Sequence, residues 1–256
     1  MIIGAQLYTV RNLCKTDSEL KQTLKAISDI GYRIVQLPGM PDVNIDRYKY
    51  NCDEFGLKTV ITHFPTSRLI EDLDKVIKEH NFLGCDYIGL GGMDQKYRSS
   101  IEDYKAFVSD YLPVIKKIAD SGKKFMYHNH AFEWEKVGGK RIIDRLIDDF
   151  SPDELGFTLD TYWVQYAGAD PADHIQKLSG RIDCIHYKDM KVKGQTQFMC
   201  PVLEGNLNWA RIFEASQNAG VKYAIVEQDD CYDESPLDCL KLSYDNLMAT
   251  NLFERI

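Results

Sequence analysis

The sequence predicts a single-domain α/β protein, a closed barrel of eight parallel strand–helix units, (β/α)8, spanning residues 1–256. Three observations predict it. Short runs rich in Val, Ile, Tyr and Phe recur along the chain, most of them introduced by a glycine. Amphipathic helical stripes lie between these runs. Eight such units in 256 residues match the size of a closed barrel, and no linker or low-complexity stretch divides the chain.

In chain order, IIGAQLY is the first strand candidate. In TDSELKQTLKAISDIG, Thr16 is placed to cap a helix with Glu19 three residues on, and Leu20, Leu24, Ile27 and Ile30 form its apolar stripe. GYRIVQL, GLKTVITH and GCDYIGLGG follow as strands two to four. Each opens on a glycine of the kind that ends a helix, because glycine adopts the left-handed conformation at little steric cost. The stripe Phe107, Val108, Tyr111, Val114, Ile115 and Ile118 predicts a helix with Pro113 as a kink. GKKFMYHNH is strand five, RIIDRLIDDF another helix, LGFTLD strand six, GRIDCIHYKD strand seven and GVKYAIVEQD strand eight. Several of the runs lack polar alternation, which suits parallel strands buried on both faces. A doubly wound open sheet is the main rival, but no Gly-rich dinucleotide fingerprint or P-loop supports it.

Composition narrows the function. Lys+Arg is 31 against 39 for Asp+Glu, a net charge of −8. This argues against a nucleic-acid binder, which needs a basic face, and against a polybasic membrane surface. The opening MIIGAQLYTVRN reads as neither signal peptide nor membrane span, and no other apolar run is long enough to cross a bilayer. The 7 cysteines are odd in number and form no CxxC pair, as expected of reduced thiols in a cytoplasmic protein.

Barrel chemistry sits at the carboxyl ends of the strands. Those ends carry Gln6 and Tyr8, Gln36, His63, little at strand four, then His128 and His130, Asp160, His186 and Lys188, and Glu227. Imidazole plus carboxylate suits Mn, Fe, Co or Zn rather than Ca or Mg. His128, Asp160, His186 and Glu227 would supply one ligand from each of four neighbouring strands. Plainer roles compete. A single His at a strand end is commonly structural, Asp160 is placed to cap the next helix, and Lys188 with Asp189 could be a solvated pair. Glu227 is harder to dismiss, since it follows the apolar run YAIV directly. Residues 191–206 form a long connection expected to act as lid or substrate wall, unless Phe198, Met199 and Trp209 merely pack it down. The acids of EQDDCYDESP would repel a phosphate, although Lys188, Lys191 and Lys193 could offset them. The balance favours an unphosphorylated sugar or polyol.

IGAQLYTVR, GYRIVQLPG, LDTYW, IHYKD, LEGNLNW and IVEQD, in this order, resemble the xylose isomerase-like TIM barrel superfamily. That group includes sugar phosphate isomerases/epimerases, ketose 3-epimerases, inosose isomerases and dehydratases, and an apurinic endonuclease. The resemblance implies a divalent metal (Mn, Co, Zn or Fe) at the mouth, with Asp160, His186 and Glu227 as ligands and Glu227 as an acid/base. His128 stands where the family commonly has a Glu, and Trp163 where it often has a His. His128 is therefore expected as a ligand and as a candidate second base, with Glu133 or Glu135 turning inward as the alternative. His63, His130 and Lys188 are expected to meet substrate hydroxyls, and Trp163 and Phe132 to face the sugar ring. The leading reading is a metal-dependent isomerase or epimerase acting on a small carbohydrate by proton abstraction α to a carbonyl. Its rivals are a lyase or dehydratase on a keto-sugar or inosose, a DNA-repair nuclease, and a non-catalytic sugar-binding barrel. Homo-oligomers are common among the proteins it resembles.

Overall fold

In the computed structural model, which describes residues 1–40 and 43–254, eight strands close a parallel barrel. They are β1 (Ile2–Gln6), β2 (Ile34–Pro38), β3 (Lys58–Phe64), β4 (Tyr87–Leu90), β5 (Lys124–His128), β6 (Gly156–Asp160), β7 (Cys184–Tyr187) and β8 (Tyr223–Val226). Each pairs in parallel with its sequence neighbours, and β1 also pairs with β8 to close the ring. All eight coincide with runs predicted above.

Alternation along the strands sorts side chains into two apolar layers. Ile34, Val60, Ile61, Met126, Cys184 and Ile225 cluster inside the barrel. The larger layer lies between barrel and helices and contains Phe125, Tyr127, Phe157 and Tyr187 together with helix residues such as Leu24 and Phe107. Inward-facing residues recur every second position, so the residues two beyond Ile34, Met126, Cys184 and Ile225 also point inward. Those are Gln36, His128, His186 and Glu227. The interior is filled by apolar side chains at one level and by polar ones nearer the mouth.

The helix Asp17–Ile30 begins at a capping box between Thr16 and Glu19, as the sequence predicts. The helix Ile101–Asp120 runs through Pro113 as one element. Pro113 and Ser109 lie on its exposed face, so the carbonyl left without a donor faces water. Residues 191–206, expected to act as a lid or substrate wall, are largely a hairpin of Asp189–Lys193 against Thr196–Cys200. All seven cysteines are free, and among the described residues no helix is long and apolar enough to cross a membrane.

Candidate metal centre

The register of β5 to β8 brings four side chains together at the mouth. Asp160 lies directly opposite His186 in the β6–β7 ladder, and His128 opposite Thr158 in the β5–β6 ladder. Glu227 leaves β8 with its amide donating to Tyr187 O, 3.2 Å away. One ligand atom from each of His128, Asp160, His186 and Glu227 lies within 4.8 Å of all the others, and all four residues are buried. His128 Nε2 is 3.5 Å and His186 Nδ1 3.7 Å from Asp160 Oδ2, and His186 Nδ1 is 2.9 Å from Glu227 Oε2.

Hydrogen bonds on the far sides of these groups show which atoms are left for an ion. His128 Nδ1 lies 3.0 Å from Gly91 O, and His186 Nε2 lies 2.7 Å from Gln36 Oε1. Each imidazole thus donates its outer N–H to an oxygen and aims its other nitrogen inward, the nitrogen a metal ligand would use. Asp160 divides its two oxygens. Oδ1 accepts from Trp163 N at 3.0 Å and caps the helix Thr161–Tyr166, while Oδ2 points inward. His128 Nε2, Asp160 Oδ2 and His186 Nδ1 are buried without an aligned hydrogen-bond partner. Buried polar atoms are seldom left so. Three such atoms facing one point, with Glu227 beside them, form a donor set that fits a transition-metal cation.

Lys188 is not the solvated partner of Asp189 that its sequence position allowed. It is 1% exposed, and its Nζ lies 3.3 Å from Asp160 Oδ2, 3.2 Å from Glu227 Oε2 and 2.6 Å from Asp229 Oδ2. Burial opposes its charge, but Asp160, Glu227 and Asp229 more than offset this and drive its pKa upward. Burial likewise disfavours the anions of Asp160 and Glu227, yet Lys188 and the neighbouring imidazoles hold both carboxyls well below the usual range. His63 and His130 go the other way. Burial, then the adjacent His128 imidazole, keeps them neutral, with His130 lowered to about 3.

These groups open into a cavity of about 400 Å³, lined among others by Gln6, Tyr8, His63, Gly91, Gly92, Asp94, His128, His130, Trp163, Lys188, Glu227 and Asp229. His63, His130, Lys188 and Trp163 therefore stand at the cavity. Phe132 is not among its lining residues; its ring lies between the His130 imidazole, 5.6 Å away, and the Arg98 guanidinium at 3.6 Å. Glu133 does not turn into the cavity either. It is fully buried behind His130, accepting from Tyr127 Oη and His130 N, both at 2.7 Å, and burial raises its pKa to about 8. Glu135 is exposed.

Sequence reasoning missed three contributors. Asp229 was one acid among many in its loop, and Asp94 lies in a loop that carried no signal. Strand four looked empty because its contribution is glycine. A methyl group on Gly89 would sit 2.5 Å from His63 Cδ2, so glycine there leaves room for the ring, while Gly91 offers a bare carbonyl to His128. The GLGG run was the available clue.

Fold and site together define a (β/α)8 barrel whose mouth carries a buried cluster able to hold a divalent cation. A family model described as xylose isomerase-like TIM barrel matches residues 24–238, and the chain belongs to that family. No curated protein matches the sequence significantly. Among solved structures, a sugar phosphate isomerase/epimerase from Parabacteroides distasonis is similar at 24% identity and a TM-score of 0.83, covering 98% of this chain and 99% of its own. A probable 3-DHS dehydratase from Bacillus anthracis has a TM-score of 0.75 at 14% identity, with 97% and 99% covered. An L-ribulose 3-epimerase has a TM-score of 0.74 at 16% identity, with 98% and 95% covered.

Proposed function

We propose that this protein is a metal-dependent sugar isomerase or epimerase that moves a proton on the carbon next to a substrate carbonyl. The observation that carries the reading is the set of inward-facing atoms of His128, Asp160, His186 and Glu227, three of them without an aligned hydrogen-bond partner. A bound divalent cation would supply Lewis-acid polarisation of the carbonyl and neighbouring hydroxyl oxygens. His128 acts as a ligand in this reading rather than as a base, because Gly91 O holds its Nδ1 proton and Nε2 faces the site. Glu227 turns Oε2 toward His186 and Lys188, which leaves Oε1 to take the substrate proton. Lys188 holds Glu227 and Asp160 in their ionised forms, so the base is ready at neutral pH. His63 and His130, both neutral, hydrogen-bond to substrate hydroxyls, and Trp163 presents an apolar wall.

A lyase reading is favoured by one observation. The carboxylate base Glu227 has the Lys188 ammonium 3.2 Å away, a proton donor within reach of the same substrate. After Glu227 removes the proton, Lys188 could protonate a departing β-hydroxyl so that water leaves.

Solvent deuterium exchange into a panel of free ketopentoses and ketohexoses, followed by NMR with metal-loaded protein, tests both. We expect exchange at the α-carbon, lost by about 10²–10⁴-fold in Glu227→Gln. A returned stereoisomer identifies an epimerase, and a dehydrated product the lyase. Exchange that is undiminished in the variant would remove Glu227 from the mechanism.

A further inference from the structure

We infer that the substrate of this site carries no phosphate or carboxylate: it is an uncharged polyhydroxy ketone. The inference deepens the isomerase/epimerase reading and rests on it. Four charged side chains line the cavity, and three of them are acids: Asp94, Glu227 and Asp229 against Lys188. The single ammonium is already shared among Asp160, Glu227 and Asp229 at 3.3, 3.2 and 2.6 Å, and it is buried. Drawing Lys188 toward a substrate anion would strand those carboxylates in a poorly solvated place, where an unpaired charge is costly. Asp94 is exposed at the rim, and its carboxylate makes no hydrogen bond or ion pair among the described residues. A terminal phosphate would meet a carboxylate that is held in no ion pair, with Lys96 the cation near enough to feel its charge.

The loops supply a second, independent argument. Barrels that bind phosphate commonly do so on the loops after strands seven and eight, through backbone amides. After β7, those amides are consumed by the protein's own anion. Asp189 accepts from the amides of Met190 (2.7 Å), Leu203 (3.0 Å), Gly205 (3.0 Å) and Leu207 (3.4 Å), and from Trp209 Nε1 (2.7 Å). A carboxylate therefore fills the nest that a phosphate would need. After β8, Gln228 N donates to Thr9 Oγ1 and Tyr232 N to Asp230 Oδ1. Lys191 and Lys193, the other cations of the β7 loop, do not line the cavity.

The test uses metal-loaded protein and matched pairs, D-fructose with D-fructose 6-phosphate and D-ribulose with D-ribulose 5-phosphate. Affinity is read by calorimetry and kcat/KM by deuterium exchange. The free member of the better pair should be favoured by about tenfold or more, since a phosphate would meet the carboxylates of the cavity as like charges. Asp94→Asn should narrow the gap by improving the phosphate. A phosphate bound or turned over as well as its free sugar would overturn the inference and leave the isomerase/epimerase reading standing. A gap unchanged in Asp94→Asn would overturn its electrostatic origin. If protein that holds metal accepts neither member of either pair, the carbohydrate reading itself falls, and this inference with it.

Discussion

Gln36 shows how one side chain can orient a candidate ligand from outside the cluster. Its amide oxygen, 2.7 Å from His186 Nε2, accepts a hydrogen bond from the proton there and so turns Nδ1 toward the cluster. Leucine at this buried position keeps the bulk and removes the acceptor. Gln36→Leu should lower affinity for the divalent ion about 10–100-fold while the protein stays folded, measured by competition with a chromophoric chelator. An unchanged affinity would mean that His186 needs no such orientation. The four candidate ligands were legible in the sequence because each is an ionisable residue ending an apolar run, where burial demands a partner. Gln36 was visible only as a polar strand end. Its partner is 150 residues away, and no local pattern encodes that pairing. The Gly91 carbonyl was invisible for a different reason, since backbone atoms carry no residue signature.

At the level of elements, the connection after β7 is held by Asp189 rather than by apolar packing alone. Successive residues leaving a strand point to opposite faces. Lys188 therefore enters the cavity and Asp189 turns back under residues 203–209, where it gathers four amides and the Trp209 indole. Alanine at this position would leave those donors buried without an acceptor. Asp189→Ala should destabilise the protein by about 2–4 kcal/mol, read as a lower urea midpoint. A loss under about 1 kcal/mol would show that water replaces the carboxylate freely. The eight strands were legible because glycine ends the preceding helices and β-branched and aromatic residues fill the runs. The hairpin Asp189–Lys193/Thr196–Cys200 was not, because KVKGQTQF is polar on both faces and lacks the apolar alternation that marks a strand. The same period-two rule, applied to Lys188 and Asp189, would have separated their roles from sequence alone.

For the whole molecule, the proposed ion site would link ion binding to stability and to pH. An ion that binds only the folded barrel stabilises it by about 2.7 kcal/mol when free ion reaches about 100 times Kd. For a chain of this size that corresponds to a rise in Tm of about 5–10 °C, reversed by a chelator. The size of the rise should depend on pH through His186. Burial opposes its charge, but Glu227 and Asp160 override burial and raise its pKa from 6.5 to about 9 in the metal-free protein. That proton stabilises the metal-free fold fully below about 6.5, and the contribution is lost as pH rises through about 9. An ion held at the proposed site would take the same Nδ1 and would have to displace the proton. Its apparent affinity therefore increases between these two values, because the competing proton and the stability it gives both disappear. At one fixed ion concentration, the rise in Tm should be larger at pH 8.5 than at pH 6.5, as recorded by scanning calorimetry. A rise that is the same at both values, or larger at the lower one, would show that His186 is already neutral before the ion arrives, and no rise at either would show that the barrel mouth does not hold the ion.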